Sequence, residues 1–94
     1  MRLEWDAAKN RVNRTKHGVD FATAARVFAD PDLVLIEDRT DDNGERRWHA
    51  LGLAGAQPLL VVAHVYREAE NGEELVRIIS VRKASKREVR IYFQ

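Results

Sequence analysis

The sequence predicts an α+β fold of one domain spanning residues 1–94, and three observations predict it. Near the amino terminus a helical stretch is bracketed by an aspartate cap and a glycine stop. After it come four short apolar segments separated by turn signals, and the chain closes on a capping box. Ninety-four residues are enough for one core and leave no room for a separate regulatory module. With 45% hydrophobic and 33% charged residues, the chain holds too much apolar material to remain disordered.

Arg2 to Trp5 reads as a short strand. Asp6 then caps a helix running to about His17, with Gly18 as its left-handed terminator. Asp20 caps a second helix, Phe21 to about Ala29, ended by Asp30-Pro31. Strands are expected at Leu33–Glu37, Arg46–Leu53, Leu59–Tyr66 and Leu75–Arg82, joined as an antiparallel meander. Asn43-Gly44 and Asn71-Gly72 fit type I′ turns, and Gly55 to Pro58 makes the turn between them. The segment Leu59–Tyr66 is apolar on both faces and is therefore placed at the centre of the sheet. Ser85 with Glu88 opens a last helix whose inward face is Val89, Tyr92 and Phe93.

Absence of cysteine excludes a disulfide framework, a thiol nucleophile and thiolate metal sites, which suits a reducing cytoplasm. No spacing such as His-x-His or His-Glu-x-x-His suggests a metal, and no cofactor motif is present. The longest apolar run, Pro58 to Ala63, is far short of the roughly 20 residues of a membrane helix, and the start of the chain lacks the apolar region of a secretory signal, so no membrane association is expected. The net charge is only +1, but it is distributed in blocks. Arg82, Lys83, Lys86, Arg87 and Arg90 form a basic run, whereas Glu37 to Glu45 is acidic.

On the first helix the apolar seam is expected to be Trp5, Ala8, Val12, Thr15 and Val19. Lys9, Asn13 and Lys16 then form one stripe at its edge, with His17 just beyond. Donors at i, i+4 and i+7 suit a phosphate backbone, although lysines that merely flank a buried seam are the commoner arrangement. The helix dipole favours a charged imidazole at His17, which serves equally as a general acid, a phosphate contact or a carbonyl cap. Arg47 begins a strand whose same face carries His49, Leu51 and Leu53, and Arg82 ends one whose same face carries Val76, Ile78 and Ser80. Strand-end arginines suit bidentate contact with a phosphate; an ion pair with the acidic hairpin around Asp41-Asp42 or with Glu45 is the alternative, and is preferred for Arg46. His64 reads as a core histidine and His49 has no motif around it. Tyr92 is core-like, with a hydroxyl able to reach a cleft mouth.

In order and spacing, Glu4-Trp5-Asp6, Lys9, Asn13, Lys16-His17-Gly18, Phe21, Asp30-Pro31, Arg47-Trp48, Gly52, Arg77-Ile78-Ile79-Ser80, Arg82, Ala84, Glu88 and Tyr92 resemble the BrnT toxin family. One departure is Arg46, where the family often carries an acidic residue. The resemblance implies a RelE-like fold, ribonuclease activity that inhibits translation, and a BrnA-like antitoxin that binds the toxin and, in a hetero-oligomeric complex, operator DNA. With it, the catalytic candidates are Lys16, His17, Arg47, Arg82 and Tyr92, and the RNA-binding candidates Lys9, Asn13 and Lys83. The reaction expected of them is metal-independent transesterification within RNA. Base and acid stay open among Lys16, His17 and Tyr92. A non-catalytic RNA-binding module would use the same cations without cleaving, and a pure interaction domain would not arrest growth.

Overall fold

The computed structural model describes residues 1–40 and 43–94. The acidic pair Asp41-Asp42 lies outside the described residues; at Asn43-Gly44 positive φ is found at Gly44, 80°, and at no non-glycine residue described, so the expected type I′ turn, which needs it at both central residues, does not form there. In chain order the elements are β1 (Arg2–Glu4), α1 (Ala7–His17), α2 (Phe21–Ala25) with a 3-10 turn (Arg26–Ala29), β2 (Val34–Thr40), β3 (Arg46–Gly52), β4 (Leu60–Glu68), β5 (Glu74–Lys83) and α3 (Lys86–Phe93). The sheet order is β1-β5-β4-β3-β2, so the most apolar strand is central and the last four strands form the expected meander. β1 adds to β5 in parallel, with Leu3 beside Val76. That pairing joins segments over seventy residues apart and has no local signature.

Local chemistry sets most element ends. The Asp6 carboxylate accepts from the Ala8 and Lys9 amides at 2.8 and 3.0 Å, and Gly18, at φ 74°, donates its N–H to the Arg14 carbonyl at 2.8 Å. The second helix tightens to 3-10 geometry after Ala25 instead of continuing regularly to Ala29, as helices commonly do in a last turn leading to a proline. At Asn71-Gly72 the expected type I′ turn does not form. The Asn71 side chain accepts from the Glu73 N–H at 2.9 Å, Gly72 donates to the Ala69 carbonyl at 2.9 Å, and positive φ is confined to Gly72 at 82°. The result is a three-residue loop with its glycine in the left-handed position.

Both faces of the sheet are covered, but unequally. Val19, Phe21, Ala24 and Val27 pack on Ala50, Leu60, Val62, Ile78 and Val81, forming the main core. On the other face α3 covers only one end, where Tyr92 meets Leu51, Leu59 and Val61. Within α3, Ile91 and Tyr92 turn inward, while Val89 and Phe93 are 37% and 64% exposed rather than buried. The helix is anchored through Tyr92, whose hydroxyl donates to Asp30 at 2.5 Å; the same carboxylate oxygen accepts from the Leu53 N–H at 2.7 Å. That anchorage sets the rotation of α3 and leaves Phe93 outside. Gly52 lies in the same corner, where a Cβ would come within 2.7 Å of Val27 Cγ1.

The buried face of α1 is not the expected seam. Ala8, Val12 and Thr15 are exposed, and Asn13 is the helix's buried residue. Its amide donates to the carbonyls of Val19 at 3.0 Å and Val81 at 2.9 Å and accepts from the Val81 N–H at 3.1 Å. β1 reaches only as far as Arg77, so beyond it the edge of β5 has no neighbouring strand. Asn13 takes the place of the missing strand residue, satisfying both main-chain groups of Val81. Asn13→Leu should therefore destabilise the fold by about 2–4 kcal/mol, because it leaves buried backbone groups unpaired; the check is the urea unfolding midpoint.

Candidate active site on the open face of the sheet

β5 carries a bulge at Ile79. His64 pairs with Ile78 and Ala63 with Ser80, so one residue of β5 is left over. Val76 and Ile78 consequently face the main core, whereas Ser80 and Arg82 face the other side; the expectation that all four share one face fails at this extra residue. Because registered partners point to the same side, the open face can be read row by row. One row is Ile36, His49, Ala63 and Ser80. The next, toward α3, is Val34, Leu51, Val61 and Arg82. On the opposite flank Val65 pairs with Arg77, and Arg47, which precedes the Trp48 paired with His64, comes level with them. Three arginines and a histidine thus surround the small side chain of Ala63.

Each charge on this face has a distinct environment. Arg82 makes a bidentate contact with Glu88 at 2.8 and 2.9 Å and also donates to the Lys83 carbonyl at 3.2 Å. That guanidinium first, and the Ser85 amide after it, hold the Glu88 carboxyl down at about 2. Arg77 lies 3.6 Å from Glu4, and His49 Nε2 lies 3.6 Å from Asp38. Arg67 is engaged by Glu45 through two hydrogen bonds of 3.1 Å. Arg47 differs: its Nε is buried without a hydrogen-bond partner among the described residues. Arg46, by contrast, lies 3.9 Å from Glu37, a carboxylate other than the one its neighbourhood in sequence suggested.

The α1 candidates flank the same tract. Lys9, Asn13, Lys16 and His17 line a groove of about 350 Å3 together with Ala8, Val12, Ile79 and Ser80. Ser80 therefore belongs both to the groove and to the row that ends at His49. Asn13 shows no free polar group to an RNA, since its amide is spent on Val19 and Val81. Lys83 pairs with Leu60 and points away from Arg82, so strand alternation removes it from the tract. Tyr92 holds Asp30, and that carboxylate pushes the phenol up to about 12, which leaves it a structural donor. His64 lies in the main core, where burial holds it below the usual imidazole range. Its Nδ1 is 3.0 Å from the Val62 carbonyl, and its ring meets Phe28 and Tyr66 edge-on.

The residues that sequence reasoning passed over are His49, Asp38 and Arg77. Alternation along β3 already put His49 on the face of Arg47, but Asp38 and Arg77 become neighbours only through strand register. Among the described residues no three of His, Asp and Glu gather as a metal site, and no helix is long and apolar enough to cross a membrane.

The Arg82–Glu88 pair carries a pH signature. The folded Glu88 pKa is depressed, so its stabilisation is present above the ordinary value of 4.5 and is lost as pH falls toward about 2. Stability should drop by about 1–2 kcal/mol across that window once solvent screening is allowed for, and Glu88→Gln should flatten the drop; urea midpoints at pH 7 and pH 3 measure it.

Comparison with curated proteins finds no match. Among solved structures, the ribonuclease toxin BrnT of Brucella abortus is similar, with 26% identity and a TM-score of 0.57, covering 92% of this chain and 99% of that one. The family model described as ribonuclease toxin, BrnT, of type II toxin-antitoxin system matches residues 5–88. The chain belongs to the BrnT family of ribonuclease toxins of type II toxin-antitoxin systems.

Proposed function

We propose that the open face of the sheet is where RNA is cut, by metal-independent transesterification, and that this cutting inhibits translation in the cytoplasm. The observation that carries the proposal is the convergence of Arg47, Arg77, Arg82 and His49 around Ala63 on a face that α3 leaves open. His49, held by Asp38, takes the proton of a 2′-hydroxyl. The freed oxygen bonds to the adjacent phosphorus, the bond from phosphorus to the 5′-oxygen breaks, and that oxygen leaves with a proton from His17. The products are a 2′,3′-cyclic phosphate and a 5′-hydroxyl.

Arg47 takes part in none of the ion pairs among the described residues and its Nε has no hydrogen-bond partner there, so its charge is available to the pentacovalent phosphorane. Arg82 shares its charge with Glu88 and acts partly through the docking of α3. Lys9 and Lys16 hold phosphates flanking the scissile one. Cations supply what a metal supplies elsewhere, and no carboxylate cluster competes for that role among the described residues. A BrnA-like antitoxin neutralises the toxin and carries the operator DNA contacts of the complex.

Purified protein should cleave RNA in excess EDTA, leave the cyclic phosphate, and spare a substrate with a 2′-deoxy sugar at the scissile position. Arg47→Ala should lower the cleavage rate about a hundredfold or more with the unfolding midpoint unchanged. Cutting of the deoxy substrate, or activity lost in EDTA and restored by magnesium, rejects the mechanism; RNA binding without cleavage supports the non-catalytic alternative.

A further inference from the structure

The most cationic element of the fold also presents its most exposed apolar side chain outside the chain ends. α1 contains Lys9, Arg11, Arg14 and Lys16 and no carboxylate, and none of the four forms an ion pair among the described residues. Val12 is 66% exposed between them. This exposure follows from Asn13: once its amide turns toward Val81, the neighbouring positions Ala8 and Val12 roll outward. With Ile79, displaced by the bulge in β5, they form the apolar walls of the groove that Lys9, Lys16 and His17 border.

We infer that this groove seats an acidic segment of the antitoxin, with an apolar side chain inserted between Val12 and Ile79 and carboxylates facing Lys9 and Lys16. The inference rests on the assignment of the chain as a toxin with an antitoxin partner, and it adds where and by what chemistry that partner binds. RNA uses the cations but gains little from Val12, because its flat bases stack on aromatic and guanidinium faces and the groove is walled by the aliphatic Ala8, Val12 and Ile79; a polypeptide side chain fills such a slot while its carboxylates meet the lysines. The volume, about 350 Å3, falls in the range of roughly 300–1,000 Å3 that accommodates an inserted group. Charge points the same way, since an unpaired cationic helix is matched by an acidic partner.

Position gives the binding a consequence. Ser80 closes the groove and begins the row that runs through Ala63 to His49. A segment seated there lies across the edge of the proposed cleavage face and occupies Lys9 and Lys16, which the RNA needs. The antitoxin thus competes with RNA for the cations while drawing additional affinity from Val12 and Ile79, which RNA does not use.

Val12→Gln separates the two ligands, because it keeps a good helix former and every charge while removing the apolar contact. Binding of the purified cognate antitoxin, followed by calorimetry, should weaken tenfold or more, and proportionally more antitoxin should be needed to suppress cleavage. Cleavage of RNA by the free variant should stay within twofold of the parent. Wild-type affinity for the antitoxin should also fall steeply between about 50 and 200 mM salt. Unchanged antitoxin affinity in Val12→Gln overturns the inference, as does equal loss of RNA cleavage, which would make the groove an RNA surface. A change in self-association with antitoxin affinity unaltered assigns it to a second copy of this chain and overturns it equally. Val12→Ala, a gentler truncation, should show a smaller loss in the same direction and serves if the glutamine variant is unstable. Failure of the ribonuclease mechanism would appear separately, as inactivity of the wild-type protein with antitoxin binding intact.

Discussion

The position of α1, and of every charge it carries, depends on the amide of Asn13. A three-residue β1 cannot cover the whole edge of β5, and an uncovered edge beside a hydrophobic core would leave main-chain donors and acceptors dry. A carboxamide has a donor and an acceptor at the spacing of a peptide group, so Asn13 can replace one strand residue at Val81. The same side chain reaches the Val19 carbonyl and thereby fixes the exit of the chain after Gly18. Together with Asn10, whose Oδ1 accepts from the Phe21 N–H at 2.8 Å, it sets the rotation of the helix, and rotation decides which residues line the groove.

The other end of the sheet is organised by carboxylates. Asp30 accepts from Tyr92, from the Leu53 N–H and from the Asp32 N–H at 2.8 Å, tying the 3-10 turn, the end of β3 and α3 together. Glu88 does similar work between α3 and β5, answering Arg82 and the Ser85 N–H at once. These contacts explain why residues prominent in the BrnT resemblance need not all perform chemistry. Glu88, Tyr92 and Asp30 keep α3 over one end of the sheet, and by doing so they leave the other end open.

Features encoded locally were legible in the sequence. The Asp6 cap, the Gly18 stop, the Ser85–Glu88 capping box and the centrality of β4 each depend on a few neighbouring residues, and each is present. Features that depend on distant partners were not. The hydrophobic pattern of α1 favours Val12 inward, but an unsatisfied strand edge outranks one valine, and Asn13 is buried instead. Similarly, Val89 and Phe93 look like an inward stripe until Tyr92 is bound to Asp30. The arginine tract was half legible: Arg47 and Arg82 were identifiable as strand-end cations, while Arg77, Asp38 and the significance of His49 needed strand register. Arg77 and Ser80 are separated by an odd number of positions and would ordinarily lie on opposite faces.

That odd spacing is absorbed at one residue, Ile79. The segment from Arg77 to Ser80 spends one more residue than its partner strand, and because that surplus is bulged out of the ladder, Arg77, Ser80 and Arg82 look toward the same side while Val81 remains in the core. Deleting Ile79 would restore a regular ladder and leave Val81 inside and Arg82 outside, because Ile78 and Ser80 would then stand side by side opposite His64 and Ala63; what would be lost is the apolar wall that Ile79 gives the groove beside α1. The bulge is a device for adding one apolar side chain at the strand edge without disturbing the division between core and cationic face.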